Sequence, residues 1–88
     1  MSNTFIIGDR VRVAKAYYKD YNVYISGIIL EFLNHKGDKL DPLNYHMART
    51  TRIDWRMKNE GNSIENWYIF VLELLNPFDP NLICKKLK

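Results

Sequence analysis

One cysteine, Cys84, is all that the 88-residue chain carries, which excludes an internal disulfide and any all-cysteine metal site. Such cysteine usage suits a reducing compartment. Long apolar runs are also missing. The densest stretches, residues 27–32 and 68–75, fall far short of the roughly 20 residues that span a bilayer. The opening, MSNTFIIGD, has neither a basic segment nor a long apolar core, so no signal peptide is expected. The ending, ICKKLK, is not a prenylation box. A cytoplasmic location is therefore expected. No glycine-rich phosphate loop, no HExxH pair and no nucleophile elbow is present. No internal repeat and no low-complexity segment is present either. The charge bias is mild, a formal +3 with a pI near 9.1; it permits nucleic-acid binding without demanding it.

What the chain does have is aromatic rings, at 14% of residues including six Tyr, four Phe and two Trp, within a 47% apolar share. Large rings let a chain with room for only one core bury much area per residue. The abundance of Asn, Lys, Ile and Tyr suits an AT-rich genome, that of a cell or of a phage.

Alternation places most of the elements. Residues 1–7 are a lead-in, with the character of an edge strand. GDRVRVAK (8–15) reads as a strand with Val11 and Val13 on one face and Arg10 and Arg12 on the other. Residues 16–26 have no clean period and read as a loop with strand-like ends. GIILEFLN (27–34) is a second strand, apolar on both faces at 28–30, with Gly27, Ile28 and Leu30 assigned to the scaffold. Residues 35–50, holding Gly, Asp, Pro and Asn, form a long loop, and loops of this length tend to carry function. TTRIDWRM (50–57) sets Ile53, Trp55 and Met57 against Arg52, Asp54 and Arg56. Residues 58–62 turn, and SIENWYIF (63–70) returns as the hairpin partner. Residues 71–76 suit a 3₁₀ turn and a final strand. In the tail, residues 77–88, Asp79 can cap a short helix opened by Pro80.

The pieces Gly8, Asp9, Val11 and Val13, then Gly27 and Ile28, then Ile53 and Trp55, then Leu72 and Leu75 together resemble SH3-like barrels of the KOW and Tudor type over roughly residues 7–75. The expected fold is all-β, an SH3-like partly open barrel of about five short strands over residues 1–76, followed by a short helical tail over 77–88. The resemblance implies a binding module without catalytic machinery or cofactor. KOW-type domains contact nucleic acid or RNA polymerase, and Tudor-type domains read methylated side chains or other proteins; fold alone does not choose between them.

Three sets of side chains carry candidate chemistry. Arg10, Arg12, Lys15, Lys19, Arg49, Arg52 and Arg56 are suited to phosphate, with Tyr17, Tyr18 and Tyr21 among them to stack or donate hydrogen bonds. This set points to nucleic acid, duplex DNA or a transcription complex, with Asp54 positioned to offset Arg52 and Arg56. A cation-binding aromatic cage would draw on Tyr17, Tyr18, Tyr21, Tyr24, Trp55, Trp67 and Tyr68. Both tryptophans are placed in the core instead, which leaves the loop tyrosines as the ligand-facing rings. The alternative class is a protein-interaction adaptor, phage-encoded and aimed at a host protein. It would use Leu40, Leu43, Tyr45 and Met47 of the 35–50 loop with Phe78, Ile83 and Leu87 of the tail. A homodimer through the tail or an edge strand is a further option. His35, His46, Asp38 and Asp41 match no familiar metal spacing, and Cys84 has no placed base to make it a nucleophile, so neither metal nor catalysis is expected.

Overall fold

The computed structural model describes residues 4–75. In chain order these form β1 (Arg10–Val13), a 3₁₀ turn η1 (Lys15–Asp20), β2 (Tyr24–Leu33), η2 (Pro42–Met47), β3 (Thr50–Met57), β4 (Gly61–Tyr68), η3 (Ile69–Val71) and β5 (Leu72–Leu74). Every pairing is antiparallel, and the sheet runs β4-β3-β2-β1-β5. β1 bridges the two halves, pairing β2 through Arg10↔Ile28 and β5 through Val11↔Leu74 to Val13↔Leu72. Among the described residues β4 and β5 do not pair with each other. The architecture is an SH3-like, partly open barrel. No described helix is long and apolar enough to cross a membrane.

One core fills the barrel, built from Val11, Val13, Ile29, Phe32, Ala48, Ile53, Trp55 and Leu72. The alternation expected in β1 and β3 holds, with Val11, Val13, Ile53 and Trp55 buried and Arg10, Arg12 and Arg56 exposed. The assignment within β2 is corrected. Gly27 and Ile29 face the core, so Ile28 points outward and is exposed, and Leu30 is only half-buried. A register shift between Ile29 and Glu31 then turns Phe32 inward, as a bulge does by inserting one residue on one strand. The Glu31 carbonyl at that bulge accepts a 2.7 Å bond from the buried Thr51 hydroxyl.

The hairpin β3–β4 is in unbroken register from Thr50↔Tyr68 to Met57↔Gly61, closed by a three-residue loop into Gly61. Its φ of 73° places Gly61 in the left-handed conformation that such loops end on.

Three sequence expectations change. Residues 4–7 are not a strand: Asp9 caps the turn by accepting a 2.9 Å bond from the Ile6 N–H, and Phe5 packs on the core. The first loop is shorter than expected, because η1 opens at Lys15 and β2 already starts at Tyr24. Residues 35–49 are not one irregular loop: they hold a turn at Gly37 and the 3₁₀ turn η2. Asn34 Oδ1 accepts from the N–H groups of Lys36 and Asp38, closing a turn at Gly37. Asp41 Oδ1 accepts from the Leu43 N–H and so caps η2, with Pro42 at its first position. The expected tail helix, with Phe78, Ile83 and Leu87, lies outside the described residues.

Candidate functional site

The ten residues expected to serve nucleic acid do not form one surface. Arg12, Lys15, Tyr18 and Lys19 come together around a groove of about 640 Å³, floored by Val13, Ile25 and Leu75. Arg12 is held there by an ion pair with Glu73, its cross-strand partner in β5. Lys15 and Lys19 have no ion-pair partner among the described residues. Arg10 and Arg56 lie elsewhere, beside Asp54 and Asn62 in a smaller recess of about 180 Å³ on the outer sheet face. Arg52 is occupied: its guanidinium lies 2.9 Å from Glu31 and also donates to Asn66. Glu31 rather than Asp54 therefore neutralises it. Residues 4–75 hold 10 of the 13 Lys and Arg and 9 of the 10 Asp and Glu, so the barrel itself is close to neutral and projects little long-range attraction for phosphate.

The loop tyrosines divide. Tyr18 is exposed in the first groove. Tyr17 packs against the core and meets Phe70 edge-on at 5.9 Å. Tyr21 joins Tyr24, Trp55 and Trp67 in a packed cluster with ring centroids 4.8 to 6.3 Å apart. Rings at these edge-on separations touch one another, which leaves no room for a cation between them. The cluster is therefore packing and not a cage, as expected for both tryptophans.

Glu65 anchors that cluster. Its carboxylate accepts from Tyr24 Oη at 2.9 Å, Trp67 Nε1 at 3.0 Å and Ser63 Oγ at 2.8 Å. Burial pushes the carboxyl up, but the bonds from Trp67, Ser63 and Tyr24 together outweigh it and hold it below its ordinary range. Burial and the neighbouring Glu65 push the Tyr24 hydroxyl above its ordinary value. A carboxyl with a depressed folded pKa stabilises the fold above its unfolded pKa and loses that contribution as pH falls through the folded value. Glu65→Gln keeps the shape and removes the charge assistance. It is expected to cost about 1–2 kcal/mol at neutral pH, the difference between charged and neutral hydrogen bonds. The gap from wild type should close in acid, as read by urea melts at both pH values.

A second surface was only half visible in the sequence. The Ile69 N–H at the start of η3 donates to the carbonyl of Arg49, two residues beyond η2, at 2.8 Å. At this junction Tyr68 and Phe70 stand stacked, centroids 5.8 Å apart and planes 27° apart, and they are 63% and 68% exposed. Tyr17 abuts Phe70 on one side. On the other, Tyr68 borders a groove of about 430 Å³ with Leu33, Leu40, Met47, His35 and Arg49. Of the adaptor residues, Leu40 and Tyr45 turn inward to complete the core, with Tyr45 edge-on to Phe32 at 5.0 Å. Met47 stays exposed at the groove, and Leu43 is exposed away from it. Phe70 continues the exposed row of Ile64, Asn66 and Tyr68; by sequence it falls in the returning strand, whose outward face is assigned no ligand.

Among the described residues no three His, Cys, Asp or Glu side chains converge to hold a metal ion. No protein-family model, curated protein or solved structure matches this chain.

Proposed function

We propose that the chain is a non-enzymatic binding module. It takes an extended peptide segment of a protein partner on the surface formed by Tyr17, Met47, Arg49, Tyr68 and Phe70. The observation that carries this reading is the stacked, largely exposed Tyr68–Phe70 pair, of which Tyr68 lines a groove that combines Leu33, Leu40 and Met47 with Arg49. Covering a large ring is worth about 1.5–3 kcal/mol, so a ligand laid over two rings recovers burial that the isolated barrel forgoes. Aromatic residues and Arg are the side chains that dominate interface energetics. The Arg49 guanidinium selects a carboxylate in the ligand, and Met47 adapts to an apolar side chain. The resemblance to KOW- and Tudor-type barrels supports a binding role in general terms.

Selection of a displayed random-peptide library on the immobilised protein tests this. Enriched peptides should combine aromatic or aliphatic residues with an acid, and should be lost on the Phe70→Ala protein. No enrichment over the Phe70→Ala protein would sink the reading.

The first groove supports a second reading, nucleic-acid contact, because Lys15, Tyr18 and Lys19 present two cations and one exposed ring together. Two or three phosphate contacts correspond to a log–log salt slope of about −2 to −3 on duplex DNA. Anisotropy of labelled duplex and single-stranded oligonucleotides at two salt concentrations measures that slope. Absence of binding at low salt, or binding unchanged in Lys15→Glu/Lys19→Glu, excludes nucleic acid as the ligand of this groove.

A further inference from the structure

The open barrel leaves two sheet edges, and they differ. β5 has three residues, whereas β4 has eight, Gly61–Tyr68, with a strand neighbour on one side only among the described residues. Exposed edges are ordinarily blunted by lysine, proline, bulges or shortness. β4 has none of these: its sequence GNSIENWY contains no basic residue and no proline, and its pairing with β3 has no register shift. Its outward row is uncharged, with Asn62, Ile64, Asn66 and Tyr68 all exposed. Its single charge, Glu65, is engaged by Tyr24, Trp67 and Ser63.

We infer that β4 is a self-association edge that pairs antiparallel with β4 of a second copy of this chain, with Ile64 on the two-fold axis. The register follows from symmetry. When two sheets continue into one another about an axis normal to the sheet, opposed residues share a face, so a residue must lie on the axis opposite its own copy. Within the span of β4, only centring on Ile64 or on Glu65 gives the longest overlap. Centring on Glu65 opposes like charges, which is unfavourable. Centring on Ile64 places the two isoleucines together and Asn62 opposite the partner copy's Asn66, an amide pair. It also sets Ser63 opposite Glu65, and Gly61 opposite the Trp67 ring. The edge N–H and C=O groups of β4 that face no strand among the described residues become a continuous ladder. The paired span, residues 61–67, stops one residue short of Tyr68, the ring that β4 contributes to the peptide surface, and the inference does not depend on what that surface binds.

Sedimentation of the full chain across a wide concentration range tests the association. The expected mass rises from 10.5 kDa towards twice that value, and Ile64→Lys, at a position 63% exposed, holds the chain monomeric with an unchanged thermal melt. Cross-linking in a Cys84→Ser background tests the register. Cβ atoms of opposed residues stand about 5 Å apart, close to disulfide reach. Ile64→Cys should oxidise to a covalent dimer by itself. Asn62→Cys should do so only when mixed with Asn66→Cys. A chain that stays monomeric at millimolar concentration, or a dimer indifferent to Ile64→Lys, overturns the inference.

Discussion

Gly27→Ala is expected to lower stability by about 1–3 kcal/mol, the usual cost of overpacking a filled core. The melting temperature of a domain this size should fall by about 4–8 °C for each kcal/mol. A Cβ at position 27 would stand 2.9 Å from Trp55 Cε3 and closer still to Ile53 Cγ2. Neither neighbour has freedom to give, because both are fully buried and fixed by pairing: Gly27 opposes Trp55 in β3 and Val11 in β1. The glycine is thus the point at which three strands close over one tryptophan. Chemical denaturation measures the loss. A Gly27→Ala protein as stable as wild type would mean that the Trp55 ring is packed differently.

Phe70→Ala is expected to weaken binding of a selected peptide by about 2 kcal/mol or more, roughly 30-fold, the scale of an aromatic interface anchor. Tyr68→Ala should act similarly. The fold should barely register either change, because surface substitutions usually fall within about ±0.5 kcal/mol and both rings are largely exposed. Leu43→Ala is the matched control, since Leu43 is 83% exposed but does not line the groove. Titration by isothermal calorimetry separates the cases. Equal losses for Leu43→Ala and Phe70→Ala would show a diffuse apolar effect rather than a defined site.

The fold was legible where side chains alternate. In β1, and in β3 as far as Trp55, every second residue is buried, so Val11, Val13, Ile53 and Trp55 could be assigned directly, while Met57 at the end of β3 is only half-buried. In β2 they could not, because apolar residues fill both faces and the bulge after Ile29 changes the phase, a matter of pairing that no local pattern records. The η2 turn was legible and was missed: Asp41–Pro42 carries the same cap signature that was read at Asp79–Pro80. Ion pairing is a tertiary fact. Glu31 and Glu73 are far in sequence from Arg52 and Arg12, so nothing local showed that two of the expected phosphate ligands are already engaged. The Tyr68–Phe70 surface depends on the start of η3 meeting Arg49, just before β3, a contact far apart in sequence. Tyr17, Met47, Arg49 and Tyr68 were visible as candidates, but scattered over three different sets, and Phe70 was in none of them.

The decisive measurement is a ¹⁵N–¹H chemical-shift titration of the full chain with a peptide enriched by selection. Shifts centred on Tyr17, Met47, Arg49, Tyr68 and Phe70, and abolished by Phe70→Ala, are the expected result. Shifts centred instead on Arg12, Lys15, Tyr18 and Lys19, or no shifts at saturating peptide, would contradict the assignment of the Tyr68–Phe70 surface as the binding site.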